Sequence, residues 1–320
     1  MSESKKNSPS VQFLDVASEF AGQRIDNFLL RHLKGAPRSY VYRVLRTGEV
    51  RVNKGRVKAQ YKLQAGDRIR IPPVRLEPGA DNPVPESLQT RLRDAIVYED
   101  ERFLVMNKPS GVAVHGGSGV SVGVIETLRH LMPDERQLEL VHRLDRDTSG
   151  CLMISKRRSA LRILHELMRE NRIDKRYLAL VAGSWRKGVQ RVDQPLKKNT
   201  LQGGERIVRV DAEGRPSQTV FRRLERFDEA TLVEAELLTG RTHQIRVHSA
   251  WLGSPVLGDQ KYGDDELNKK MKDKGLRRLF LHAYQLKLRW PGERQDRVIQ
   301  APLPDELQQV LDNLKSTHEV

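Results

Sequence analysis

The chain has 320 residues, of which 38% are hydrophobic, enough to build one large core or two separate ones. Its 57 Lys+Arg outnumber 42 Asp+Glu, giving a formal net charge of +15 that points to a polyanionic partner. No apolar run reaches the length of a membrane-spanning helix, the polar opening "MSESKKNSPSVQ" lacks the apolar centre of a secretory signal, and the single cysteine, Cys151, excludes an intrachain disulfide and a cysteine-based structural zinc site. A cytoplasmic protein with no membrane partner is expected, and residues 1–17 read as a disordered tail.

Residues 24–70 hold thirteen Lys/Arg against Asp26, Glu49 and Asp67, a net +10 in 47 residues that leaves only +5 for the remaining 273. The same segment has a folded pattern. In "GQRIDNFLLRHL", Ile25, Phe28, Leu29 and Leu33 fall at helical spacing until Gly35 and Pro37 interrupt. Ser39 is a plausible N-cap for "YVYRVLRTG", with Val41, Val44 and Leu45 as its apolar stripe and Gly48 as its stop. "EVRVNKGRVK" alternates around a turn at Asn53 to Gly55, and "AGDRIRIPP" closes the module as a short strand. Residues 18–75 thus form a small basic α/β domain. Its cations are either a solvated face or phosphate contacts; their concentration on a compact pattern rather than a tail favours phosphate, through Arg38, Arg43, Arg46, Lys54, Arg56 and Lys58. Aromatic content of 5% argues against a stacking platform and for structured RNA held by its backbone. The stretches "RIDNFL", "SYVYRVLRTGEVRVN" and "LQAGDRIRI" resemble the αL RNA-binding module first known from a small-subunit ribosomal protein.

Residues 76–90, rich in proline, read as a linker, and residues 91–320 as a second, larger domain. Strand patterns lie at "RFLVMNK", "LELVHRL", "CLMIS", "RYLALVAG", "SQTVFRRLERF", "ATLVEAELL" and "RLFLHAYQLKLRW". Helical patterns lie at "VGVIETLRHLM", "SALRILHELMRE", "THQIRVHSAWLG" and "DELQQVLDNLK". Strands often follow strands directly, so the fold class is α+β with a largely antiparallel or mixed sheet.

Three polar clusters border these elements. "NKPSGVAVHGGSG" is glycine-rich but lacks the spacing of a P-loop, so it is equally a phosphate cradle or a flexible turn region. "VHRLDRDTSG" places Asp145 directly after a strand pattern, where a cleft can open, while Asp147 in "DTSG" suits a turn that bonds nearby amides. The order of residues there is not that of a kinase loop, and no G-x-S-x-G elbow accompanies it. In "TGRTHQIRVHSAWLG", Thr242 is a candidate helix cap, and His243 and Arg246 share a helix face. The spacing of His142, His243, His248 and His282 matches no metal-binding motif, so no metal is expected.

Taken in order, "NKPSG", "HRLDRDTSG", "KRYLALV", "RTHQIRVH" and "RLFLHA" resemble the RluA-type pseudouridine synthases. The resemblance spans about residues 18–310. It implies the pseudouridine synthase fold and isomerisation of uridine in RNA without a cofactor. It makes Asp145 the catalytic aspartate, Tyr177 the active-site tyrosine and Arg246 the arginine paired with the aspartate. Arg143 becomes the residue inserted into RNA as the target base leaves its stack. With the αL module attached, large-subunit ribosomal RNA is the implied partner, acted on by a monomer. The same reaction on transfer RNA, or a non-catalytic ribosome-assembly role, are the alternatives. In this chemistry the N1–C1′ bond breaks, the base turns, and it rejoins through C5. A carboxylate can act as nucleophile or as base, and whether Asp145 attacks the sugar, attacks the base or removes a sugar proton stays open.

Overall fold

The computed structural model describes residues 10–33, 36, 38–73, 84–116, 122–185, 188–200 and 206–316. They form two compact units, divided between Pro83 and Val84. None of the described helices is long and apolar enough to cross a membrane.

The first unit contains β1 (Gln12–Asp15), a 3-10 turn (Ser18–Phe20), α1 (Ile25–His32), α2 (Arg38–Arg46), β2 (Arg51–Val52), β3 (Gly55–Arg56) and β4 (Arg68–Ile71). The strands pair antiparallel in the order β1-β4-β2-β3. Both helical stripes are buried, Ile25, Phe28 and Leu29 of α1 meeting Val41, Val44 and Leu45 of α2 over Val52, Ile69 and Ile71. Asn53 and Lys54, at φ 49° and 70°, make the two-residue turn that fits the twist of a hairpin. Two expectations need correction. Residues 12–15, placed in a disordered tail, form β1, because the ladder to β4 supplies an order that the mostly exposed "QFLD" does not announce. Ser39 lies inside α2, which starts at Arg38, and so does not cap it.

The second unit contains α3 (Glu86–Arg93), β5 (Ile96–Glu99), β6 (Phe103–Lys108), α4 (Val124–Leu131), β7 (Glu139–Leu140), β8 (Ser149–Ser155), α5 (Arg158–Arg169) and β9 (Ile173–Ala182). These are followed by β10 (Val189–Asp193), β11 (Leu196–Thr200), β12 (Arg206–Val210), β13 (Gln218–Arg226), β14 (Ala230–Leu237), α6 (Gln244–Trp251), α7 (Asp265–Asp273), β15 (Leu281–Leu288), β16 (Arg297–Gln300) and α8 (Asp305–Ser316). The main sheet runs β10-β13-β14-β9-β15-β8-β6-β5, with β16 added to β15 and β7 to β8, while β11 and β12 form a separate hairpin. Of the pairings, β15 with β8 is parallel and the others antiparallel, so the sheet is mixed and the class α+β.

That parallel seam dictates a glycine. Gly150 sits at φ +108°, and a Cβ there would lie 2.2 Å from the Ala283 carbonyl oxygen. The sheet's core is built from residues such as Phe103, Met106, Leu128, Leu152, Leu164, Phe221 and Val233. A second cluster seals α7 and α8 against it through Met271, Phe280, Leu307 and Val310. Three differences from the sequence reading bear on the site. The linker expected over residues 76–90 gives way to α3 from Glu86, so its second half is helical. The strand expected at "LELVHRL" is only Glu139–Leu140, and residues 141–148 are a loop. The elements β5, β10, β11, β12, β16 and α7 also had no clear sequence pattern.

Candidate active site

The loop over residues 141–148 carries Asp145 and is fixed from three sides. Val141 and Leu144 are buried in the core. His142 Nε2 accepts the Met153 N–H at 3.1 Å, and burial holds its imidazole neutral, pushed down to about 4. Lys108, at the end of β6 and fully buried, donates to the carbonyls of Pro109, Val112 and Arg146 at 2.9, 2.9 and 3.0 Å. Ser110 Oγ donates to the Asp147 carbonyl at 2.8 Å, and the Gly111 N–H to that of Arg146 at 2.9 Å. The "NKPSG" stretch is therefore a brace for this loop, which neither a phosphate cradle nor a flexible turn anticipates; residues 117–119 of the longer cluster lie outside the described residues.

Asp145 reaches toward α6. Its Oδ2 is 3.5 Å from Arg246 Nη1 and 3.7 Å from His243 Nε2. Among the described residues its Oδ1 makes no hydrogen bond, which leaves one carboxylate oxygen open. Arg246 is itself clamped: Nε and Nη2 donate to the two oxygens of Asp259 at 2.7 and 2.8 Å, and its guanidinium lies 5.0 Å from the centre of the Tyr262 ring. Asp259, 1% exposed, also accepts the N–H groups of Lys261 and Tyr262 at 2.9 and 3.1 Å. Burial alone would raise the Asp259 carboxyl, but Arg246 and these amides overcome it and hold it below the usual carboxylate range. The arginine is thus a rigid cation with one edge spent on Asp259 and one nitrogen left for Asp145.

His243 is held in a left-handed conformation, φ 54°, at the start of α6. Its Nδ1 is 2.7 Å from the Tyr262 hydroxyl, which accepts the Val208 N–H at 3.0 Å. Burial lowers the His243 pKa against the pull of Asp145. Thr242 does not cap the helix, because the side chain of Gln244 does the anchoring. Its Oε1 accepts from the Arg241 N–H and the Thr239 hydroxyl at 3.0 and 2.7 Å, and its Nε2 donates to Gln218 O and Thr219 Oγ1, both at 2.9 Å.

Tyr177 comes from β9. It is buried, no hydrogen bond to its hydroxyl exists among the described residues, and burial together with the charge of Asp145 pushes the phenol up, so it is neutral. Asp145, Tyr177, Arg246, His243, Lys175 and Arg143 line one cavity of about 290 Å³. An outer groove of about 760 Å³ shares Asp145 and Arg143 with it and adds Arg146, Lys261, Lys272, Arg277 and Arg278.

Residues far apart in sequence are thus gathered as the motifs suggest. Asp145, Tyr177 and Arg246 converge, and Arg143 stands exposed at the rim of both hollows. Among the described residues Asp147 bonds no backbone amide: the Thr148 N–H is taken by the Asp145 carbonyl at 3.2 Å, and the Asp147 carboxylate pairs with Arg146 at 3.0 Å. The four histidines serve separate places, His248 between Thr219 Oγ1 and Gln194 O, His282 between Ser149 Oγ and Ala301 O. In the first unit Arg43, Arg46, Lys54, Arg56 and Lys58 are exposed, Arg43 lying 3.3 Å from Glu49; Arg38 opens α2, and its side chain lies outside the described residues. Sequence reasoning missed Asp259, Tyr262, Lys108 and Lys175. A lone acid after Gly258 carries no spacing signal, and only the fold brings it to Arg246, whereas Lys175 stands two residues before Tyr177 in "KRYLALV", where strand alternation already puts both on one face.

The mixed sheet thus brings a buried arginine and the Asp145 loop to one cavity, and the comparisons with known proteins give that arrangement its class, an RNA-modifying isomerase. Residues 102–251 match the RNA pseudouridylate synthase family and residues 23–69 the S4 domain, and the chain belongs to that synthase family. It is 54% identical to ribosomal large subunit pseudouridine synthase C of Escherichia coli strain K12, over 98% of this chain and 99% of that one. It is 52% identical to the protein of the same name from Haemophilus ducreyi, over 97% of each. Among solved structures it is similar to human RNA pseudouridylate synthase domain containing 4, with a TM-score of 0.59, 27% identity and coverage of 72% of this chain and 96% of that one.

Proposed function

We propose that this chain converts specific uridines of bacterial large-subunit ribosomal RNA to pseudouridine, with Asp145 as the catalytic carboxylate. The observation that carries the reading is the convergence of Asp145, Tyr177 and Arg246 on one cavity, with Arg246 3.5 Å from Asp145 and locked by Asp259. The substrate class rests on end-to-end similarity to proteins named for large-subunit pseudouridine synthesis. Arg246 stabilises the ionised carboxylate and fixes its direction, and the open Oδ1 is the oxygen that meets the nucleoside. The ring of Tyr177 supplies a face on which the uracil can stack. Arg143 fills the stack that the base vacates, and the cations of the outer groove take the flanking phosphates. Unstacking costs a few kcal/mol, offset by these contacts.

In the first unit Arg38, Arg43, Arg46, Lys54, Arg56 and Lys58 hold the RNA by its backbone. The protein acts as a monomer in the cytoplasm, where its RNA is found. The reaction is an isomerisation, with no redox change and no group to be supplied, so it calls for no cofactor. The test is to map pseudouridine in cellular RNA with and without the protein. Loss of sites in large-subunit RNA supports the reading; loss only in transfer RNA moves the substrate; no loss at all favours a ribosome-assembly role.

A further inference from the structure

The cavity holds a cation that the catalytic scheme leaves unused. Lys175 lies on the same face of β9 as Tyr177, two residues away, and is 6% exposed. Its side chain lines the cavity with Asp145, Tyr177 and Arg246, and makes no hydrogen bond or ion pair among the described residues. Its neighbours do not neutralise it. Asp174 faces the opposite side of the strand, where it pairs with Arg176 at 3.0 Å. His142 is held neutral. Burial pushes the ammonium below the ordinary lysine range, as befits a charge with no fixed partner. An unpaired ammonium that is nearly buried is costly, and a fold that needed only bulk there would be better served by a methionine or leucine. The contrast with Lys108 sharpens the point, since that buried lysine has three carbonyls around it. What Lys175 lacks is an acceptor, and a uracil in this cavity brings two.

Resting on the functional reading above, we propose that Lys175 is a catalytic residue that donates a hydrogen bond to a carbonyl oxygen of the flipped-out uracil and stabilises the base as it leaves C1′. When the N1–C1′ bond breaks, its electron pair departs with the base. The resulting uracil anion spreads charge onto the carbonyl oxygens, where an ammonium with few other contacts acts most strongly. Lys175 keeps its proton. The balance closes when C5 bonds to C1′, C5 loses its proton and N1 gains one. The interaction is stronger with the anion than with neutral uridine, so it lowers the barrier more than it aids binding.

The experiment uses the full chain and an RNA fragment carrying a uridine identified by mapping, under single-turnover conditions with saturating enzyme. Lys175→Met is expected to slow pseudouridine formation about 100-fold. Its RNA affinity should stay within about twofold and its Tm should be no lower, because removing a lone buried charge does not weaken a core. Sulfur is a poor hydrogen-bond acceptor, so 2-thiouridine or 4-thiouridine at the target should slow the wild type about tenfold at whichever position Lys175 contacts. The same substitution should slow Lys175→Met less than twofold. Lys175→Gln keeps a donor without the charge and serves as the second variant, with an intermediate rate expected. Turnover of Lys175→Met or Lys175→Gln equal to wild type overturns the assignment, as do thio effects that are fully additive at both positions. Asp145→Asn is run beside them. A wild type that forms no pseudouridine takes down the functional reading and the lysine with it. An active wild type, a dead Asp145→Asn and an active Lys175→Met remove the lysine alone.

Discussion

At the scale of single residues, the site separates two acids two positions apart. Asp145 faces Arg246 inside a cavity, whereas Asp147 is half exposed and spends its carboxylate on Arg146. Asp145→Asn keeps shape and loses charge, so turnover should fall at least about 10³-fold with RNA binding little changed. Asp147→Asn should stay within about threefold of wild type, because surface pairs contribute little. Rate and filter-binding measurements on the two variants check this, and the reverse order would move the chemistry to Asp147. A second residue-scale expectation concerns pH. The Arg278 Nη2 donates to Ser149 Oγ at 2.7 Å, Ser149 to His282 Nδ1 at 2.9 Å, and His282 Nε2 to the Ala301 carbonyl at 3.1 Å. This chain needs a neutral imidazole, and burial pushes His282 down to about 4. The unfolded histidine, near 6.5, binds the proton first. The stabilisation is therefore complete above pH 6.5 and lost as pH falls through 4, an effect of about 3 kcal/mol. Urea midpoints between pH 7 and 4.5 should drop in the wild type and drop less in His282→Asn. Part of the slope persists in the variant through His142, which titrates in the same range.

At the scale of elements, two joints carry the site. One is the parallel seam of β8 with β15, directly after the Asp145 loop, where Gly150 lies against Ala283. Gly150→Ala forces a Cβ into a carbonyl oxygen and strains a left-handed backbone, and should cost on the order of 3 kcal/mol or more. Denaturant titration gives the value, and a loss under 1 kcal/mol would mean that the seam yields easily. The other joint is α6 to the segment at Asp259. Asp259→Asn removes the charge that faces the buried guanidinium and should destabilise by about 3 kcal/mol. Because it also frees Arg246 from its clamp, kcat should fall more than about tenfold in molecules that are still folded. An unchanged kcat would make the Asp259 pair structural only. These are contacts between elements, and neither residue announces itself in its own stretch of chain.

At the scale of the whole molecule, the charge division organises function. Residues 24–70 carry a net +10 of the total +15. The two compact units part between Pro83 and Val84, so removing residues 1–83 should leave the unit that holds Asp145, Tyr177 and Arg246 able to fold. Backbone-directed binding weakens with salt by about 0.9 log unit per contacted phosphate per decade for duplexes. The truncated protein should therefore bind ribosomal RNA more weakly and with a shallower salt slope, yet still modify uridine slowly. Titrations across a salt series test this, and a slope unchanged by truncation would show that the basic unit is not the anchor.

Periodic features were determined by the sequence itself, since period is a local property. The stripes of α1, α2, α4, α5 and α8 and the apolar runs of β6, β8, β9, β13, β14 and β15 each show in their own ten residues. The charge concentration in residues 24–70 shows in the same way. The motifs around Asp145, Tyr177 and Arg246 marked where polar groups interrupt those runs. Elements without a period were decided elsewhere: β1 by its ladder to β4, β5 and β16 by theirs to β6 and β15, and the loop after β7 by Lys108 and His142. The tertiary structure also chose the partners of the charges. Asp259 clamps Arg246 across 13 positions of sequence, and Lys175, on the Tyr177 face of β9, is enclosed in the cavity without an acceptor among the described residues. Burial and pairing are properties of assembled surfaces, and a linear order of residues does not contain them until the sheet has closed.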